Sequence, residues 1–216
     1  SGQSNMDMAV DGTIQKYHWR KGALNFEQEI ADANYPAIRL FQVKHAVSPN
    51  QPLEHVEGAW QPCSPKTVGP FSAVGYFFGR ELFTHLQIPI GLIQSSYGGS
   101  RVEAWISHDK LKSLPEGRDQ WKQWQQRKKD WANGVLQERN QEKLDKYQKA
   151  KAEAEAANQP KPEYPTLASD PSVDKNAPST LFNAMIHPLI PYPIQGAIWY
   201  QGESNAGRAG AYKKLF

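Results

Sequence analysis

Cysteine is nearly absent from this sequence: Cys63 is the only one among 216 residues. A single thiol forms no intrachain disulfide and assembles no thiolate metal cluster. Long apolar runs are missing as well, and no stretch approaches the roughly 20 residues that a membrane-spanning helix requires. The formal net charge is only +3, and no basic run is interleaved with aromatics, so the electrostatic footprint of a nucleic-acid binder is lacking. No phosphate loop ending in Gly-Lys-Ser/Thr is found. There is no Gly-x-Ser-x-Gly elbow either, which argues against an α/β-hydrolase. No repeat of 20–50 residues is visible. No leader segment can be read, and an opening inside a motif says nothing about export.

What remains fits one globular domain with a substantial core. Seven tryptophans and nine tyrosines are present; core packing is the default role for most, and stacking on sugars is the functional alternative. Residues 1 to about 108 alternate short apolar runs with Gly and Pro, the texture of α/β proteins. Ala37–Val43 reads as a strand. Pro70–Leu86 reads as a helix with Phe71, Val74, Phe78, Leu82 and Leu86 at helical spacing. Pro89–Gln94 reads as a parallel strand buried on both faces, running into a turn at Ser95–Ser100 and a short helix at Val102–Trp105. Residues 109–177 form a charged helical block. Trp121, Trp124, Trp131 and Val135 share one face, Asn133-Gly134 is a candidate break, and a Pro-rich stretch from Pro160 returns to the core. This block reads either as an amphipathic insertion packed on the domain or as a lid or partner-binding helix pair. Leu181–Leu189 then reads as a short helix and Ile194–Tyr200 as a buried strand.

Two predicted strands therefore end in glycine turns, and Gly2 marks a third. In open α/β sheets, sites form outside the carboxyl ends of the strands, so three converging turns point to an active site. Ser4 is the candidate nucleophile, with a turn or cap serine as the plain alternative. A serine hydroxyl needs a base and preorganised donors to attack a carbonyl. The Gly98-Gly99-Ser100 turn offers backbone N–H groups for that purpose.

Ser1-Gly2-Gln3-Ser4-Asn5-Met6, Gly98-Gly99-Ser100-x-x-Glu103-Ala104-Trp105 and Trp199-Tyr200-Gln201-Gly202-Glu203-Ser204-Asn205 together resemble the sialate O-acetylesterase branch of the SGNH hydrolases. The resemblance covers about two thirds of the chain and leaves out the charged block. It implies a flavodoxin-like three-layer α/β/α fold on a parallel central sheet, carrying the block at about 109–177 as an insertion. It also implies hydrolysis of O-acetyl esters on sugars, with no metal or organic cofactor. Carried over, Ser4 attacks the acetyl carbonyl while its own N–H and that of Gly98 bind the oxyanion. The wider superfamily uses Gly-x-Asn-Asp at the third turn; Ser204 stands at the donor position here, so the third donor is Gln201 or Asn205. Gln3, Glu203 and Arg101 are the expected sugar contacts; Glu203 alternatively orients its turn, and Arg101 and Glu103 are a candidate pair. Trp105 reads as packing. The partner is an acetylated sugar or glycan, and no oligomeric state is implied.

The resemblance places the base in a later Asp-x-x-His segment. None of the six histidines takes that role by position: His45, His55, His85 and His108 read as surface or core residues, His187 as a helix end and His18 as a loop residue. Asp7, near Ser4, has no histidine beside it. The expectation is a fragment lacking the first strand and the Asp/His block, with little activity on its own. An extracytoplasmic location follows from the resemblance alone. Deacetylation of xylan or another plant polysaccharide, and non-catalytic carbohydrate binding, are the rival readings.

Overall fold

The computed structural model describes residues 1–13 and 22–215; the expectation for His18 lies outside them. The helices are α1 (Ser4–Asp7), α2 (Phe26–Ala31), α3 (Ala73–Leu86), α4 (His108–Ser113), α5 (Pro115–Ala132), α6 (Val135–Ala156) and α7 (Ala209–Leu215). The strands are β1 (Tyr35–Gln42), β2 (Trp60–Cys63) and β3 (Ile90–Gln94), and tight 3₁₀ turns or wide π turns fill several connections.

The strands pair in the order β2-β1-β3. β1 and β3 run parallel in unbroken register from Ile38 opposite Ile90 to Gln42 opposite Gln94. β2 is antiparallel to β1, with an irregularity between Tyr35 and Arg39. The sheet is therefore mixed rather than parallel. Residues 43–59 carry the chain back beside β1, so β2 enters from the opposite end. Pro62 suits this edge strand, because a residue without an N–H is tolerated where no ladder bond is needed.

β1 alternates as a central strand should. Ile38 and Leu40 pack with Val10, Cys63, Val68, Phe71 and Tyr76 in one core. Val43, next to Phe41 on the other face, packs with Trp105, Leu181, Ala184 and Met185. Burying a side chain of the size of Ile38 contributes about 1.5–3 kcal/mol. β3 departs from the expected two-sided burial: Ile90, Leu92 and Ile93 are only half-buried and Gly91 is exposed. It is the outer strand of the three, packed by α3 on one face, with Ile93 against the second core on the other and residues 1–3 beside its end.

The α3 expectation needs a similar correction. The helix begins at Ala73, where Ser72 caps it by accepting the Gly75 N–H at 3.1 Å. Its buried face is Ala73, Tyr76 and Gly79. Phe78 and Leu86, which the periodicity placed inward, are 43% and 53% exposed. Both stripes recur at helical spacing, and the sheet, not the period, selects which one is buried.

Ile194–Tyr200 does not form a strand. Only Tyr200 enters a bridge, with Gly2, and Ile194 is exposed. Leu181–Leu189 is helical as expected, wide-turned over Phe182–Ile186 and tight over His187–Leu189. The charged block forms two helices that break at Asn133-Gly134, where Gly134 takes φ 79°, a left-handed conformation that costs glycine little. Trp124 is buried beneath α5, whereas α6 buries only Leu136.

Candidate active site

Residues 1–3 lie between the end of β3 and the chain at 198–200. The Ser1 nitrogen donates to Ile198 O at 2.8 Å. Tyr200 N–H donates to Ser1 O and Gln3 N–H to Tyr200 O, each at 3.1 Å, and Tyr97 N–H donates to Gly2 O at 3.0 Å. Gly2 bridges Ser96 on one side and Tyr200 on the other in parallel sense. A Cβ at Gly2 would lie 2.1 Å from Tyr200 O, so only glycine permits this approach. The turns at 4–7, 95–100 and 201–205 are thereby brought side by side.

Ser4 begins α1, half-buried. Its hydroxyl and its N–H make no hydrogen bond to any described residue. Gly98 lies against it: a Cβ there would sit 3.7 Å from Ser4 Cβ and 3.4 Å from Asp7 Oδ2. The Gly98 N–H donates to Asp7 Oδ2 at 3.0 Å. The hydrogen assigned by resemblance to the oxyanion is thus engaged by a carboxylate in this state.

Asp7 is the residue that the sequence reading undervalued. It is buried, and its Oδ1 also accepts from Ser96 Oγ at 3.0 Å. His45 Nε2 stands 3.2 Å from the same oxygen. A histidine therefore does sit beside Asp7, contrary to the expectation. It arrives from the end of β1, 38 residues along the chain, so only the parallel β1–β3 pairing makes the two neighbours. Asp7 lies between the serine turn and the imidazole, which differs from a triad, where histidine stands between serine and carboxylate. His45 stacks on Tyr97 with ring centroids 3.9 Å apart. Burial raises the Tyr97 phenol above its ordinary value, and the Asp7 charge adds to the effect.

The third turn is a buried amide network. Gln201 Nε2 lies within 3.1 Å of three acceptors: Gln3 Oε1, Ser100 O and Asn205 Oδ1. Asn205 Oδ1 also accepts from Val102 N–H at 2.9 Å, while its Nδ2 donates to Glu103 Oε2 at 2.9 Å. Both candidates for the third oxyanion donor thus spend their N–H groups on the scaffold. Gln201 Oε1 is buried and has no partner among the described residues. Turning this amide over would set an oxygen against three acceptors, so the orientation is fixed by its surroundings.

Gln3, expected at the sugar, is only 2% exposed. Its Oε1 receives Gln201 Nε2 and the N–H groups of Gly202 and Ser204, and so brackets the turn. Glu203 is exposed and accepts from Asn5 Nδ2 at 2.6 Å, adjoining Ser4. Arg101 is exposed, and its backbone N–H donates to Asn176 Oδ1 at 2.7 Å. Arg101 does not pair with Glu103; Arg208 Nη1 takes that place, 2.9 Å from Glu103 Oε1. Trp105 packs in the core and donates its indole N–H to Ser100 Oγ at 2.8 Å.

Elsewhere a cavity of about 730 Å³ opens between α5 and the chain at 49–52, lined among others by His108, Trp121, Trp124 and His187. Among the described residues no group of three or more His, Cys, Asp or Glu side chains could hold a metal ion. No described helix is long and apolar enough to cross a membrane.

No family model matches the chain. It is 33% identical over 216 residues to the sialate O-acetylesterase of Rattus norvegicus, covering 95% of this chain and 34% of that protein. It is 31% identical over 214 residues to the sialate O-acetylesterase of Homo sapiens, covering 95% of this chain and 30% of that protein. A crystal structure of a carbohydrate acetylesterase from Xanthomonas citri superposes with a TM-score of 0.61 at 28% identity. That match covers all of this chain and 34% of the other. The chain spans about a third of the length of the curated relatives it matches. Along nearly its whole length, this chain is homologous to a segment of the sialate O-acetylesterases.

Proposed function

We propose that these residues carry the nucleophile turn of a serine carbohydrate O-acetylesterase built on a three-layer α/β/α SGNH fold. The observation that carries this reading is Ser4. Its hydroxyl and its N–H have no hydrogen-bond partner among the described residues, and it lies where three turns meet, in a chain whose relatives are acetylesterases. Ser4 Oγ adds to the acetyl carbonyl as its proton passes to a base. The resulting oxyanion is held by the Ser4 N–H, and by the Gly98 N–H once Asp7 releases it. Collapse expels the sugar oxygen, which takes up a proton, and water then releases acetate from the acetyl-enzyme.

The base in this reading is a histidine oriented by a carboxylate. The substrate class is an O-acetylated sialic acid or related sugar, and the setting is extracytoplasmic. Ser4→Ala in the intact protein tests the reading. Acetate release from O-acetylated sialic acid is expected to fall at least a thousandfold, as for loss of a nucleophile elsewhere, with thermal unfolding unchanged. Acetate release retained by Ser4→Ala would overturn it. Preference for acetylxylan over acetylated sialic acid would shift the substrate while leaving the nucleophile in place.

A further inference from the structure

The helical block returns to the sheet through Asp174, Lys175 and Asn176; the first is tied to α5, and the other two engage the active-site turn. Asp174 Oδ2 accepts from Arg127 Nη1 of α5 at 2.8 Å, and its Oδ1 accepts from Asn176 N–H at 2.9 Å. Asn176 Oδ1 accepts the Arg101 N–H at 2.7 Å, and its Nδ2 donates to Gly99 O at 3.3 Å. Between them, Lys175 Nζ donates to Gly98 O at 2.5 Å and lies 5.0 Å from the centre of the Tyr97 ring.

Gly98 is consequently held on both of its polar backbone groups. Asp7, from the helix that begins with Ser4, takes the N–H; Lys175, from the far end of the helical block, takes the C=O. A glycine pair has no side chains to fix its peptides, and Gly99 already adopts φ 70°. Its orientation is therefore set by what grips it. Ordering a lysine stem also costs conformational entropy, so the contact persists only where other interactions offset that cost. Burial lowers the Lys175 ammonium below its ordinary value, and the charges of Asp7 and Asp174 act in the opposite direction.

We infer that Lys175 is a positioning residue for the Gly98 turn, and that the helical block belongs to the active site through it. This inference rests on the acetylesterase reading for its catalytic consequence, but not for the clamp itself. An oxyanion donor must be held to about half an ångström, and small misplacements cost rate rather than affinity.

The test compares the intact protein with Lys175→Met, which keeps the stem and removes the donors, and with Lys175→Arg, which keeps a donor. Gly98 amide hydrogen exchange, read by NMR, is expected to quicken at least fivefold in Lys175→Met. Its kcat for acetate release should fall about tenfold, with KM within twofold. Lys175→Arg should return both to within about threefold of the parent. If Lys175→Met does not fold, Arg127→Met cuts the same tether from the helix side and should quicken Gly98 exchange about twofold. Unchanged exchange in the foldable variants overturns the clamp, and so does a change confined to KM. A parent protein that releases no acetate instead defeats the acetylesterase reading, and Gly98 exchange still decides the clamp.

Discussion

The three-turn region and the helical block solve the same problem in opposite ways. Around Ser4, buried polar groups find partners far away in sequence: Gln201 meets Gln3 across 198 residues, and Asn205 meets Val102 across 103. In α5 and α6, several side-chain bonds are local and exposed, as between Gln126 and Asp130 or Gln141 and Asp145, four residues apart, and the longer ones reach mainly the returning chain at 166–174. Such i,i+4 contacts contribute only about 0.2–0.5 kcal/mol each, whereas a buried polar group left without its partner costs about 1–3 kcal/mol. The difference indicates where the molecule tolerates change. One region is a shared lattice in which each member holds several others; the other is a pair of nearly autonomous helices tied down at a few points.

The strongest way to expose this contrast is Asn205→Ala. It strips the acceptor from Val102 N–H and a donor from the buried Glu103 carboxylate in one step. The expected loss is about 3 kcal/mol, with a charged group raising the cost above that of a neutral one. Chemical denaturation should report it as a lower midpoint at unchanged slope. A loss below about 1 kcal/mol would mean that the lattice is not shared.

Asp7 probes the same lattice through chemistry. Asp7→Ala leaves the Gly98 peptide gripped only at its C=O, by Lys175, and free to turn its N–H away from the place where Asp7 would release it to the oxyanion; kcat is expected to fall about a hundredfold, the range for a lost oxyanion donor. Asp7→Asn should stay within tenfold of the parent. Its amide oxygen can still accept from Gly98 N–H, while its NH₂ faces Ser96 Oγ and His45 Nε2, both able to become acceptors. Equal damage from the two variants would show that charge, not the hold on Gly98, is what matters.

The contrast also explains what could be read in advance. The helix break at Asn133-Gly134 and the strand at Ile90–Gln94 were legible because turn chemistry and apolar runs are local signals. So was the meeting of three glycine turns. Which stripe of α3 faces inward was not, since the sheet decides it, and Phe78 lost to Tyr76. The antiparallel β2 and the missing strand at Ile194–Tyr200 depend on which neighbours a segment finds. At the site, the motifs located Ser4 and Gly98 next to each other. They did not disclose that Gln3 faces inward or that His45 reaches Asp7. One signal was available for Asp7: a carboxylate three residues after the serine shares its short helix and faces whatever lies under the turn.

The smallest effect tests the other half of the comparison. Asn140 in α6 makes a two-bond bracket to the returning chain, donating Nδ2 to Ala168 O and accepting Ala168 N–H, both at 2.8 Å. Asn140→Ala removes both bonds, each contributing about 1 kcal/mol. Alanine, however, is the better helix former, by roughly half a kcal/mol at an interior position. The site is only partly buried, so water replaces part of what is lost. The net expectation is a destabilisation of about 1 kcal/mol, with faster amide exchange at Ala168 and no change in kcat. Lys175 lies seven residues beyond Ala168 and is anchored separately through Asp174 and Arg127, so the bracket can open without loosening Gly98. If Asn140→Ala costs as much as Asn205→Ala, or slows catalysis, the helices are not autonomous and the lattice around Ser4 extends through them.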